Sequence, residues 1–111
     1  MLVAKGKTIV MDEGDYGLSL PFKISGGDIL STDTIKFTIK ANEYDEEAKI
    51  SKTYTNLTSE DESFVFDFSL SESESALLPA GDYLYGLKQY RNGEFLNTIR
   101  KSATFRVEKG V

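Results

Sequence analysis

The segment Ser63-Phe64-Val65-Phe66-Asp67-Phe68-Ser69-Leu70 puts a large apolar residue at every second position. Successive side chains of a β-strand point to opposite faces, so Phe64, Phe66, Phe68 and Leu70 share one side. In a helix the same residues would scatter around the circumference and bury nothing together. Each phenylalanine ring removed from water is worth about 2–3 kcal/mol, so this face demands an opposing apolar layer. The segment therefore constrains the chain to a sheet packed face to face on something else.

The same alternation recurs along the chain. Lys7 to Met11 carries Ile9 and Met11 on one side. Tyr16 to Ser25 alternates Leu18, Leu20, Phe22 and Ile24 with smaller or polar residues, and Pro21, which lacks an N–H, predicts an edge strand or a bulge. Thr34 to Ala41 sets Ile35, Phe37, Ile39 and Ala41 against Lys36, Thr38 and Lys40. Ala48 to Thr55 places Ile50, Lys52 and Tyr54 on one face and reads as an exposed edge guarded by Lys49 and Lys52. Asp82 to Tyr90 is a further strand, and Arg91-Asn92-Gly93 is a tight hairpin, since Asn-Gly supplies the positive φ such turns need. The last strand starts at Glu94, is expected to break through Asn97 to Ser102, and resumes with Ala103, Phe105 and Val107.

Turn chemistry separates these runs at Asp12-Glu13-Gly14-Asp15, Gly26-Gly27-Asp28, Asn42 to Glu47 and Asn56 to Glu62. Ser71-Glu72-Ser73-Glu74 has the spacing of a capping box, and Pro79 halts the run of Ser75 to Leu78, so one short helical turn is expected near 71–78. About seven short strands with no long helical pattern and no repeat predict a single all-β sandwich over residues 1–111.

Composition removes several function classes. The chain has no Cys and no His, which excludes a disulfide framework, a thiolate metal site and the commonest general base. Its formal net charge is −5 and its basic residues are scattered, which argues against a nucleic-acid partner. No apolar run approaches a membrane span, and Met1 to Lys5 is too short for a signal peptide, so no membrane partner is expected. Asn56-Leu57-Thr58 matches a glycosylation sequon, which without an export signal reads as chance.

Leu77-Leu78-Pro79-Ala80-Gly81-Asp82-Tyr83-Leu84-Tyr85 is the most specific segment. Immunoglobulin-type sandwiches carry a Tyr near the start of strand F whose hydroxyl bonds back to the preceding corner, and Tyr83 occupies that place. Antibody domains have a Cys two residues later; here Tyr85 stands there, so aromatic packing has to replace the inter-sheet disulfide. On this reading Tyr83, Tyr85 and Leu87 point inward, and Leu84, Gly86 and Lys88 point outward.

Several of these pieces together resemble a known pattern. They are the Gly14-Asp15 turn, Phe37-Thr38-Ile39-Lys40, Leu78-Pro79-Ala80-Gly81-Asp82-Tyr83, the Asn92-Gly93 hairpin and the closing Phe105-Arg106-Val107. The chain resembles the immunoglobulin-like N-terminal domain of tailed-phage baseplate upper proteins and related minor structural proteins. Those proteins usually continue into further domains, whereas this sequence stops at Val111. The resemblance implies a non-catalytic role in the virion, as a tail, baseplate or accessory protein, without a cofactor. It implies partners among other virion proteins or further copies of the chain, and a location in the virion or in the host cytoplasm during assembly.

Candidate sites follow from these expectations. Leu84 and Gly86, beside Leu96 and Ile99 on the hairpin partner, are the candidate protein interface, since outward apolar patches mark contact surfaces. A carbohydrate- or cell-surface-binding module is the second reading, with Tyr44, Tyr54 and Tyr90 as candidate exposed platforms for sugars. The acids Asp12, Glu13 and Asp15, then Asp45, Glu46 and Glu47, then Glu60, Asp61 and Glu62 fall in turns and read as solvated clusters without calcium-loop spacing. No catalytic residues and no metal ligands are assigned.

Overall fold

The computed structural model describes residues 1–25, 29–55, 57–60 and 63–109. The expected Gly26-Gly27-Asp28 turn, the sequon residue Asn56, the acids Asp61 and Glu62 and the side chain of Glu60 lie outside the described residues.

The described residues form nine strands and one short helix. These are β1 (Leu2–Lys5), β2 (Thr8–Asp12), β3 (Ser19–Ser25), β4 (Thr34–Lys40), β5 (Ile50–Tyr54), β6 (Thr58–Glu60), β7 (Ser63–Ser69), α1 (Glu72–Ser75), β8 (Gly81–Arg91) and β9 (Glu94–Glu108). One sheet has six strands in the order β1-β2-β9-β8-β4-β5, and the other has three in the order β3-β7-β6. Two layers, with β3 and β7 paired in one and β4, β8 and β9 in the other, make an immunoglobulin-like sandwich.

Two strands were not expected. β1 forms a hairpin with β2 through Gly6, whose φ is 62°, and β6 adds to β7 inside the stretch read as a polar loop. β2 then runs parallel to β9, with Ile9 beside Phe105 and Met11 beside Val107. Pro21 sits on β3, at the edge of the smaller sheet, in unbroken register with β7. The edge is what tolerates its missing N–H.

The expected break in the last strand is absent. Glu94 to Val107 of β9 pairs along Gly81 to Arg91 of β8, with register shifts between Tyr85 and Leu87, Leu87 and Lys88, and Gln89 and Tyr90. β9 accommodates its surplus residues as bulges, which bend and twist a strand without ending it. The weak alternation from Asn97 to Ser102 is the sequence trace of those bulges. At the turn, Asn92 and Gly93 have φ of 53° and 80°, both in the left-handed region a two-residue hairpin requires.

The core is aromatic. Phe37 of β4 stacks on Phe68 of β7 across the two sheets, with centroids 4.3 Å apart, and on Tyr85 of β8 at 5.2 Å. Phe22 of β3 meets Tyr85 edge-on at 6.3 Å, where an antibody domain has its disulfide. Phe66 stacks on Phe22 at 5.2 Å, and Phe105 closes on Phe68 at 6.0 Å. Ring pairs of this kind add about 0.5–1.5 kcal/mol each beyond their buried area.

Polar bonds pin the ends of the sandwich. The Tyr83 hydroxyl donates to the Pro79 carbonyl at 2.5 Å, closing the corner that leads into β8 as expected from the sequence. The Tyr85 hydroxyl donates to the Lys7 carbonyl at 2.5 Å and accepts from Arg100 Nη1 at 2.8 Å. Before the corner, Ser71 caps α1. The Glu74 N–H donates to Ser71 Oγ at 3.2 Å, and the Ser71 N–H donates to Glu74 Oε1 at 2.9 Å. Lys52 points inward from edge strand β5, pairs with Glu74 at 3.0 Å and donates to the Ser69 carbonyl, tying the larger sheet to the helix. No helix among the described residues is long and apolar enough to cross a membrane.

Candidate binding surface

The inward residues Ile35, Phe37 and Ile39 of β4 fix Lys36, Thr38 and Lys40 on the opposite, outer face of the six-stranded sheet. On β8 the buried Tyr85, Leu87 and Gln89 do the same for Gly86, Lys88 and Tyr90. This outer face is hollowed into an open groove of about 1140 Å³. The link from β4 to β5 forms one wall, with Glu43, Tyr44, Glu46 and Glu47 lining the groove. That link is braced from within: the Asn42 N–H donates to Asp45 Oδ2 at 3.0 Å, and the Lys49 N–H donates to the Ile39 carbonyl at 2.8 Å.

Gly86 explains part of the hollow. A Cβ at this position would stand 3.0 Å from the Lys101 carbonyl oxygen and 3.2 Å from that of Arg100. The β9 bulge opposite therefore presses its backbone onto β8 at a place where only a hydrogen fits comfortably. Around this floor Lys36, Lys40, Lys88 and Lys101 line the groove. Lys36 and Lys88 are direct cross-strand partners. No carboxylate of the described residues lies within ion-pair distance of any of these four lysines. Like charges directly opposite in a sheet are destabilising, so the pairing is a local cost.

The candidate residues from sequence divide. Gly86 and Ile99 line the groove, while Leu84 pairs with Lys40 and Thr104 outside it. Leu96 is 47% exposed near the hairpin tip, beside Phe95 at 55%. Leu84 and the tip lie at opposite ends of β8, so the four residues do not make one apolar patch. Ile99 is partly buried against the core. The middle of the face is polar and basic because the outward positions of β4 are Lys36, Thr38 and Lys40, and β8 adds Lys88.

The three tyrosines also part company. Tyr44 is 91% exposed on the groove wall. Tyr90 lines the groove and packs edge-on against Phe95 at 5.8 Å. Tyr54 is not an exposed platform. Its ring stacks on Phe66 at 4.6 Å, and burial pushes its phenol up to about 12. Sharing the inward face with Ile50 is what buries it, even though β5 is an edge strand.

One polar cluster escaped the sequence reading. Asp33, in the turn before β4, is completely buried. Its carboxylate takes both Nε and Nη2 of Arg91, each at 2.9 Å, together with Gln89 Nε2 at 2.8 Å and the Leu30 N–H at 2.9 Å. The Arg91 guanidinium outweighs the cost of burial and, with the Leu30 and Gln89 donors, holds the carboxyl far below the usual carboxylate range. Residues 33 and 91 are too far apart in sequence for any local pattern to have joined them. The arrangement is a brace between the β4 turn and the β8 hairpin.

The acidic turns have local roles. Asp12 and Asp15 pair with the amino group of Met1. Glu13 Oε2 accepts from the Ala80 N–H at 2.7 Å, linking the first turn to the tyrosine corner. Among the described residues no three acids converge as a metal site would require.

Comparison with known proteins returned no match to a family model, to a curated protein or to a solved structure.

Proposed function

We propose that this chain is a non-catalytic structural or assembly domain of a tailed-phage virion, in the tail, the baseplate or an accessory position, acting through protein–protein contacts. The observation that carries the reading is the open groove of about 1140 Å³ on the outer face of the larger sheet. Its floor is built on paired strands β4, β8 and β9, which hold a fixed contact surface. The non-catalytic part of the reading is supported by Asp33, the buried carboxylate of the described residues. Arg91 keeps it ionised and occupied, the opposite of an acid poised for proton transfer. The phage setting is supported by the sequence resemblance.

The test is mass in solution by light scattering coupled to gel filtration, with the chain alone and mixed with purified tail structural proteins. A complex of defined stoichiometry, with itself or with one of them, supports the assembly reading. A monomer that forms no complex over a wide concentration range refutes it.

A second reading, a carbohydrate- or cell-surface-binding module, is favoured by Tyr44, a ring 91% exposed on the wall of the same groove. Glycan binding abolished by Tyr44→Ala supports it, and an empty glycan array removes it.

A further inference from the structure

The groove on the outer face of the larger sheet gathers cations in a chain that is acidic overall. The formal net charge is −5, yet Lys36, Lys40, Lys88, Lys101 and Arg100 all line one groove. Arg100 is engaged by the Tyr85 hydroxyl and ring. The four lysines have no carboxylate partner among the described residues. Lys36 and Lys88 face each other across adjacent strands, an arrangement that costs stability in the free protein and that an arriving anion relieves.

We propose that this groove docks an extended acidic segment of a partner protein. The inference rests on the assembly reading, because the segment belongs to a structural partner. Lys36 and Lys40 lie four residues apart on the same face of β4, a span of about 13 Å at the rise of a strand. An extended peptide has the same rise, so carboxylates four residues apart meet Lys36 and Lys40, and Lys88, directly across from Lys36, stands beside the first of them. Glu43, Glu46 and Glu47 on the wall select the ligand class. They repel a dense polyanion such as a nucleic acid, with a charge about every 1.7 Å of duplex. They admit a chain whose charges are spaced and interleaved with neutral residues. Tyr44 and Tyr90 supply rings against which the neutral residues pack.

The experiment uses the full chain and a fluorescein-labelled peptide of alternating Glu and Ser, about ten residues long. Fluorescence anisotropy reads binding, with an alternating Gln and Ser peptide and heparin as controls. The expected result is saturable binding of the Glu peptide, weakened by added salt. The double variant K36Q/K40Q, which removes both lysines that the peptide spans and leaves Lys88 over the Phe95 ring, should bind at least roughly tenfold more weakly, with a thermal midpoint no lower than the parent because the like-charge pair is gone. Any one of three results overturns the proposal: no saturable binding of the Glu peptide, equal binding of the Gln peptide, or unchanged binding in the double variant. Tighter binding of heparin than of the Glu peptide also overturns it, in favour of a dense polyanion. If the Glu peptide fails while the chain still forms its defined complex with tail proteins, the groove is not the contact and the assembly reading stands. If both fail, both readings fall.

Discussion

Replacing Asp33 with Asn removes the charge that pairs with Arg91 and takes away one acceptor at a wholly buried position. Asp33 is fully buried and takes four donors at 2.8–2.9 Å. Breaking a buried pair by removing one partner costs about 3–5 kcal/mol. The Arg91 side chain retains 29% of its exposure and can recover some hydration, so the low end, about 3 kcal/mol, is expected. At about 4 °C per kcal/mol for a domain of this size, the midpoint of thermal unfolding should fall by roughly 12 °C. Arg91→Met leaves the wholly buried carboxylate facing a thioether and should cost at least as much. The double variant should cost clearly less than the sum, because each change removes the reason for the other. The pH dependence follows from the same geometry. The folded carboxyl titrates below its unfolded value of about 3.9, so its stabilisation is complete above that pH and is lost as pH falls below it. The parent should therefore lose stability from about pH 4 downward more steeply than Asp33→Asn. Urea unfolding at neutral and acid pH reads both effects. A loss under about 1 kcal/mol, or parallel acid profiles for parent and variant, would refute the brace.

Three further outcomes test the fold and the surface. Tyr83→Phe keeps the ring but deletes the donor to Pro79, and should cost about 1 kcal/mol in urea unfolding with unchanged circular dichroism. Gly86→Ala forces a Cβ to within 3.0 Å of the Lys101 carbonyl oxygen and should cost about 1–3 kcal/mol, with amide shifts confined to the β8 and β9 bulge in NMR spectra. Lys36→Glu turns a like-charge cross-strand pair into an attractive one while keeping Lys88 over the Phe95 ring, and should raise stability by up to about 1 kcal/mol at low salt, a gain that shrinks as salt is added.

Local pattern makes much of the sandwich legible. Alternation alone places Phe66, Phe68, Ile35, Phe37 and Ile39 inward, and all five are buried. Ser71 with Glu74, and Asn92 with Gly93, act within a few residues of themselves, so their chemistry is written in consecutive letters. Features that depend on register are not. The outward direction of Lys36 and of Lys88 follows from each strand separately, but their meeting depends on how β4 slides against β8. For the same reason the expected apolar face of Leu84, Gly86, Leu96 and Ile99 gives way to a basic groove. Bulges in β9 shift its residues off simple alternation, and the hairpin keeps Leu96 beside the Gln89–Tyr90 end of β8, away from Leu84. Tyr54 shows the remaining gap, since an edge position suggests exposure while the opposite sheet, through Phe66, supplies the cover.

The parallel pairing of β2 with β9 joins segments far apart in sequence, with Ile9 lying beside Phe105. Contacts so distant in sequence are made only after a large loss of loop entropy, which places them among the slow steps of folding. During synthesis β2 emerges well before β9, and Ile9 and Met11 lack their β9 neighbours until β9 has been made. The hairpin of β8 and β9 can zip locally from Asn92-Gly93. Its far end then serves as the clasp that receives the waiting β2. A nascent chain halted before Phe105 would carry that apolar edge uncovered, open to capture by a neighbouring copy.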